Sequence, residues 1–280
     1  MPLTKLQYKP GINRDVTSYS NEGGWVDSDK VRFRFGFPEK IGGWVKYSTN
    51  TYLGSARSLF SWVALSGTKF IGMGTNIKYY VVQGADFNDI TPLRKTTTGT
   101  ATFSVANGAA VATVTDSNNG SNVGDFVTFS SAASLGGNIT AAVLNQEFEI
   151  QTVPTANTYT INLSATANGS DSGNGGGSTV AKYQIDCGLD TQVGGTGWGA
   201  GTWQRGTWGS AADVTTITEL ALWSEDNFGE DLLLNLRDSS VYYWDKSGGV
   251  AARAVNLTSL SGASDAPTIS KQVMVSDNSR

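Results

Sequence analysis

Leu59-Phe60-Ser61-Trp62, Lys69 to Gly74, a polar turn at Thr75-Asn76, Ile77-Lys78-Tyr79-Tyr80 and a return ending at Ile90 to Leu93 form the stretch that decides the fold. The same pattern returns later: Leu220-Ala221-Leu222-Trp223, Asp231 to Leu236, a turn at Arg237-Asp238-Ser239, Val241-Tyr242-Tyr243-Trp244, and a return ending at Val255-Asn256-Leu257. Each copy reads as four short antiparallel strands with a Trp on the first and a Tyr-Tyr pair on the third. Such a unit resembles a β-propeller blade, in which radial packing of small sheets hides most strand edges. Rings need roughly four to eight blades, and two are legible. Thr268 to Val275 reads as the opening strand of another, with Ser276-Asp277-Asn278 as its turn. The expectation is a partial β-propeller-like body that continues in a longer chain.

Composition points the same way. The 280 residues include 34 glycines, with abundant Ser, Thr, Asn and Val and few long Leu/Glu/Lys stretches, which favours strands and tight turns over helices. The fold class is all-β. There is no histidine, which removes the commonest metal ligand and the usual general base at neutral pH, so histidine-dependent hydrolase and zinc chemistry is excluded. The single cysteine, Cys187, can form no intrachain disulfide and reads as a small buried apolar residue. Met1 to Thr17 mixes Lys5, Lys9, Arg14 and Asp15 among apolar residues and lacks the unbroken core of a signal peptide. No segment approaches the ~20 apolar residues of a membrane span, so synthesis in a cytoplasm without a spanning helix is expected.

Charge and tryptophan divide the chain at the same places. Residues 96–182 hold Asp116, Asp125, Glu147, Glu149 and Asp171 against Lys182 alone, which accounts for the net charge of -4. All eight tryptophans lie outside that segment. Its end is marked by the run Gly169 to Gly177, of a composition that stays flexible and solvated. Three regions result: 1–95, an arm and a first blade; 96–182, an inserted acidic β-barrel or sandwich; and 183–280, a Gly/Trp-rich loop and a second blade. Within the insert, Phe148, Ile150 and Thr152 alternate with Glu149 and Gln151, and Tyr159, Ile161 and Leu163 with Thr160 and Asn162. Ala110 to Thr115, Phe126 to Phe129 and Val180 to Ile185 supply further strands.

Candidate sites are weighed against plain structural roles. Gly194 to Gly209 lacks the Gly-Lys-Ser/Thr ending of a phosphate loop. It carries Trp198, Trp203 and Trp208 at a spacing of five, which puts the outer two on one face of an extended chain and Trp203 on the other. These read as apolar anchors to a sheet or a neighbouring subunit, with Trp25 and Trp44 as further anchors. A sugar-stacking platform is the sharper alternative. Lys30-Val31-Arg32-Phe33-Arg34-Phe35 alternates strictly, so Lys30, Arg32 and Arg34 form a candidate basic strand face, partly neutralised by Asp27, Asp29 and Glu39. Ser224 to Asp231 and Asp116-Ser117-Asn118-Asn119-Gly120 are acidic but complete no calcium loop and read as polar turns. Nothing singles out two carboxylates for glycoside hydrolysis. No catalytic residue, metal site or cofactor is assigned.

Tyr8-Lys9-Pro10-Gly11-Ile12-Asn13, Gly24-Trp25, Asp29 to Arg34 and Pro38-Glu39-Lys40-Ile41-Gly42-Gly43-Trp44 together resemble the amino-terminal stretch of tail proteins from short-tailed bacteriophages. The Gly-Thr-Trp run and the Trp-bearing blades resemble the same proteins further along. In the insert, Asn122 to Phe129 and Ala156 to Ile161 are similar to the small β-barrel modules called FCCH-like. The resemblance implies a tail nozzle or hub (tail tubular protein): a non-enzymatic virion protein, commonly six copies to a ring. It would meet adaptor or portal-side tail proteins and tail fibres, and be assembled in the host bacterial cytoplasm. It would form part of the DNA conduit, retaining and then releasing the packaged genome during ejection, and pass double-stranded DNA without specific binding. A receptor- or carbohydrate-binding module is the alternative, and a polysaccharide depolymerase a more distant one.

Overall fold

The computed structural model describes residues 8–43, 45–169, 171–174, 178–188 and 220–276, and the chain is all-β. It divides into Met1–Thr49 and Asn50–Arg280.

The first unit is organised by a hairpin of β1 (Val31–Arg34) and β2 (Phe37–Lys40), with Val31 opposite Lys40 and Arg34 opposite Phe37. Its two-residue turn, Phe35-Gly36, has φ of 51° and 85°, the left-handed pair of a type I′ turn that matches strand twist. Upstream, Ile12 bridges Trp25, and the buried Asn21 side chain donates to the carbonyls of Asn13 (3.2 Å) and Trp25 (3.4 Å). Gly24 is required beside it, because a Cβ there would lie 2.0 Å from Asn21 Oδ1.

Among the described residues the second unit contains three sheets. The first is a meander of β3 (Ala56–Val63), β4 (Lys69–Thr75), β5 (Tyr79–Gln83) and β6 (Asp86–Asp89), antiparallel throughout. The last repeats that order with β15 (Trp223–Phe228), β16 (Asp231–Leu236), β17 (Val241–Trp244) and β18 (Val255–Asn256). These two blade-like sheets share one aromatic core containing Trp62, Phe70, Tyr79, Trp223 and Trp244. Each first-strand tryptophan also donates to the other sheet's backbone: Trp62 Nε1 to Glu230 O at 3.0 Å and Trp223 Nε1 to Thr75 O at 2.7 Å. Such bonds satisfy the one polar atom of each ring on burial. Gly74 makes the approach possible, since a Cβ there would sit 2.3 Å from Trp223 Cδ1.

Between the blades in sequence lies an eight-stranded sheet in the order β13-β8-β9-β12-β11-β10-β14-β7. Its strands are β7 (Leu93–Thr98), β8 (Thr102–Val105), β9 (Val111–Thr115), β10 (Phe126–Ser130), β11 (Glu147–Thr155), β12 (Thr158–Asn162), β13 (Asp171–Asn174) and β14 (Val180–Gln184), with a single helical turn, α1 (Ala141–Leu144), before β11. The sheet curls on itself. Phe103 on β8 and Phe129 on β10 stand four strands apart, about 19 Å in a flat sheet, yet their ring centroids are 4.9 Å apart, edge to face. The enclosed core draws on nearly every strand, including Val114, Ile150, Tyr159 and Tyr183.

Beside β7 and β14 the core holds a polar knot. Asp116, 1% exposed, accepts hydroxyls from Thr97 (2.6 Å), Thr100 (2.7 Å) and Tyr183 (2.6 Å), while Tyr183 OH also meets Tyr159 OH at 3.1 Å. Burial alone would raise the Asp116 carboxyl, but these hydroxyls hold it below the usual range. Tyr183→Phe removes a hydroxyl bonded to a buried charge and is expected to cost about 2 kcal/mol, read as a lower urea midpoint with unchanged slope.

Four local readings need correction. A register shift between Ile150 and Thr152 reverses the alternation, so Thr152 faces outward, its hydroxyl 2.7 Å from that of Thr160, and Val153 packs against the core instead. Asp171–Asn174, inside the run read as flexible, is a strand paired with β8. Ser224–Phe228, read as a polar turn, is most of β15; its acidic side chains are used, Glu225 accepting from Tyr79 OH at 3.2 Å and Asp226 from Val275 N at 2.7 Å. Thr268 to Val275 is not a strand: Ser270 bridges Ser239, and Val273 exchanges bonds with the Ser224 side chain.

Candidate functional site

The most heavily built polar constellation joins all three sheets of the second unit around Lys78. This lysine lies in the β4–β5 turn, next to Tyr79, and is drawn inward because its neighbours are core residues. Its ammonium, with the side chain 2% exposed, contacts Asp89 Oδ2 and Glu147 Oε1, both at 2.6 Å, and Gln184 Oε1 at 3.3 Å. It also lies 4.8 Å from the centre of the Phe126 ring, a cation–π arrangement. Arg253, beside β18, completes the network from the last sheet with Nη1 2.7 Å from Asp89 Oδ1 and Nη2 3.5 Å from Glu147 Oε1. Two cations thus face two carboxylates contributed by β6 and β11.

Burial would raise the Asp89 carboxyl, yet Lys78, Arg253 and the Thr91 hydroxyl outweigh it and hold it below the usual range. A carboxyl whose folded pKa is depressed stabilises above its unfolded value, about 3.9, and that stability drains as pH falls through the lower folded value. Asp125 and Glu225 run the other way, burial raising both, so their ionised forms cost stability that acid returns. Asp89→Asn is therefore expected to flatten the acid limb of a plot of urea midpoint against pH. An unchanged limb would show that Asp89 is not linked to folding.

A second knot lies beside the first. Arg94 donates to Asn119 O, Ser121 Oγ (3.1 Å), Asp125 Oδ2 (3.4 Å) and Gln184 O (3.1 Å), and its guanidinium lies 5.2 Å from the centre of the Tyr183 ring. Within each knot the charges are paired with one another, which ties neighbouring sheets together. Cys187 is buried, and burial pushes its thiol well up. Among the described residues no group of three or more carboxylates and thiols is placed to hold a metal. A hollow at Leu135, Gly136 and Asn168 measures 130 Å³, well under the roughly 300–1,000 Å³ of small-molecule sites.

Of the residues singled out in the sequence, Trp44, Trp198, Trp203 and Trp208 lie outside the described residues. Trp25 is half-buried, its ring 6.0 Å from those of Tyr8 and Phe33 and its Nε1 buried without an acceptor. Arg32 and Arg34 share the exposed face of β1, and Arg32 pairs across the hairpin with Glu39 at 3.2 Å. Lys30 precedes the strand in a left-handed conformation, φ 56°, 3.7 Å from Asp29. Lys78, Asp89, Glu147 and Arg253 were not singled out. The one local signal was a lysine set between Ile77 and the Tyr79-Tyr80 pair.

No family model matches this chain, and no curated protein matches it. Among solved structures it is similar to one titled Phage phi92 endosialidase, at 11% identity and a TM-score of 0.28. The match covers 79% of this chain and 32% of that one, so the chain spans about a third of its neighbour's length. Likeness at that level carries no argument about fold or chemistry. Among the described residues no helix is long and apolar enough to cross a membrane.

Proposed function

We propose that this chain is a structural component of a short phage tail, a nozzle or hub subunit that acts through its interfaces and performs no catalysis. The observation that carries the reading is the pair of four-stranded sheets of identical strand order, packed through one aromatic core and interrupted in sequence by a curled sheet. That plan accords with the tail-protein resemblance of Tyr8 to Asn13, Asp29 to Arg34 and Pro38 to Trp44. Knots that fix three sheets together suit a part that must bear load while DNA passes. Outside residues 96–182 the chain carries 19 basic and 19 acidic residues, a balance suited to a conduit that does not hold DNA tightly. Hexameric assembly, contacts with adaptor proteins and tail fibres, and residence in the virion tail belong to this proposal. It is tested by gold-labelled antibody against the chain on purified phage particles: label concentrated at the tail supports it, and particles without label, in a preparation whose lysate contains the chain, refute it.

A further inference from the structure

Lys78 Nζ lies where two carboxylates meet, 2.6 Å from Asp89 Oδ2 and 2.6 Å from Glu147 Oε1. All of these groups belong to the second unit. The two oxygens of Asp89 have different surroundings. Oδ2 faces the lysine, whereas Oδ1 accepts from Arg253 Nη1 at 2.7 Å, Thr91 Oγ1 at 2.6 Å and Thr91 N at 2.9 Å. Fixed donors on one carboxyl oxygen, with an amine at the other, make the arrangement that stabilises the oxyanion of an acyl transfer. Glu147 instead presents the same oxygen, Oε1, to Lys78 and to Arg253. The Phe126 ring, 4.8 Å from Nζ, and Gln184 Oε1, 3.3 Å away, hold the ammonium in place, and Gln184 is itself fixed by its Nε2 donating to Ile77 O at 2.6 Å. The reacting groups are thus assembled before any reaction begins.

We propose that Lys78 and Asp89 become joined by an amide bond between their side chains, formed by the chain acting once on itself with Glu147 as proton carrier. Glu147 takes a proton from the Lys78 ammonium and passes it to Asp89 Oδ2, leaving a neutral amine beside a neutral carboxyl group. Rotation about Cε–Nζ turns the lone pair to Asp89 Cγ, and the new N–C bond places negative charge on Oδ1, where Arg253 and Thr91 donate. Glu147 then moves a proton from nitrogen to Oδ2, the C–Oδ2 bond breaks, and water leaves as the carbonyl at Oδ1 is restored. In sum an ammonium and a carboxylate become an amide and one water, and Glu147 ends as it began.

The product removes two charges from a buried site, where each is costly to keep out of water, and leaves Arg253 paired with Glu147. It also clips the start of β5 to the end of β6. The donors that hold the Asp89 carboxyl low oppose its protonation, so the bond forms slowly, after folding. Asp89 titrates only in the fraction of chain not yet joined. The inference does not rest on the tail reading, and either can fail alone.

Mass spectrometry of the purified full-length chain, digested after increasing times at neutral pH, tests it. Trypsin cuts after Lys69, Lys78 and Arg94, so the unjoined chain gives peptides 70–78 and 79–94. The expected result is their replacement by a single peptide 70–94, uncut at Lys78, lighter than its sequence by one water and fragmenting as a loop closed between Lys78 and Asp89. K78R should lose no water, and E147Q should join about 100-fold more slowly, the lower range for removal of a proton-transfer group. A chain cut at Lys78 at every time would overturn the inference. So would loss of water at Asp89 with Lys78 still cut, a link from Lys78 to the peptide that holds Glu147, or joining of E147Q at the parent rate.

Discussion

Trp244→Ala is expected to lower the unfolding free energy by roughly 3–5 kcal/mol, the usual cost of emptying a large aromatic site. The ring is fully buried and meets Trp62 at 6.1 Å and Phe70 at 5.9 Å, both edge to face, contacts worth about 0.5–1.5 kcal/mol each beyond burial. At about 2–4 °C per kcal/mol for a chain of this size, the midpoint should fall by about 10 °C. Trp244→Phe should cost less than the alanine change, because most of the ring volume is kept and the discarded Nε1–H is buried without an acceptor. Trp244 belongs to the last sheet and its partners to the first, so the alanine variant should loosen both together. Hydrogen exchange accelerated in β15–β18 with β3–β6 unchanged would show instead that the blades fold independently.

Lys78→Met carries the second large effect. It leaves Asp89 and Glu147 facing each other with Arg253 as their remaining cation in the network. Breaking a buried pair typically costs about 3–5 kcal/mol. The lower end applies, because Asp89 and Glu147 side chains keep 22% and 31% exposure. Adding Glu147→Gln should recover part of the loss, since one carboxylate can then be served by Arg253 alone. In a double-mutant cycle on urea midpoints the pair should therefore destabilise by less than the sum of the single changes. Additive losses would mean that Lys78 and Glu147 are not coupled.

The blades were legible because their information is local. Alternation, a Trp on each first strand and a Tyr-Tyr pair on each third are all visible in short windows, as are Tyr159 and Ile161 on β12 with Leu163 just beyond it. The bulge at Ile150–Thr152 was not, since nothing in Gln151-Thr152-Val153 marks a reversal of phase. Ser224–Asn227 looked like a turn because its acidic side chains find partners only in the folded chain, in Tyr79 and Val275. The Lys78 network was hidden for the same reason. Its partners lie 11, 69 and 106 residues away, and Arg253 is 164 residues from Asp89. Phe35 was read as the end of a strand; its left-handed backbone emerged only with the hairpin register.

That this chain works by assembling with its own copies in a tail is tested most directly by single-particle imaging of intact phage particles at side-chain detail. The expected density is a closed ring of copies at the tail, each with two adjacent four-stranded blades. Particles whose tails lack the chain, or carry it as isolated copies that do not touch, would contradict it.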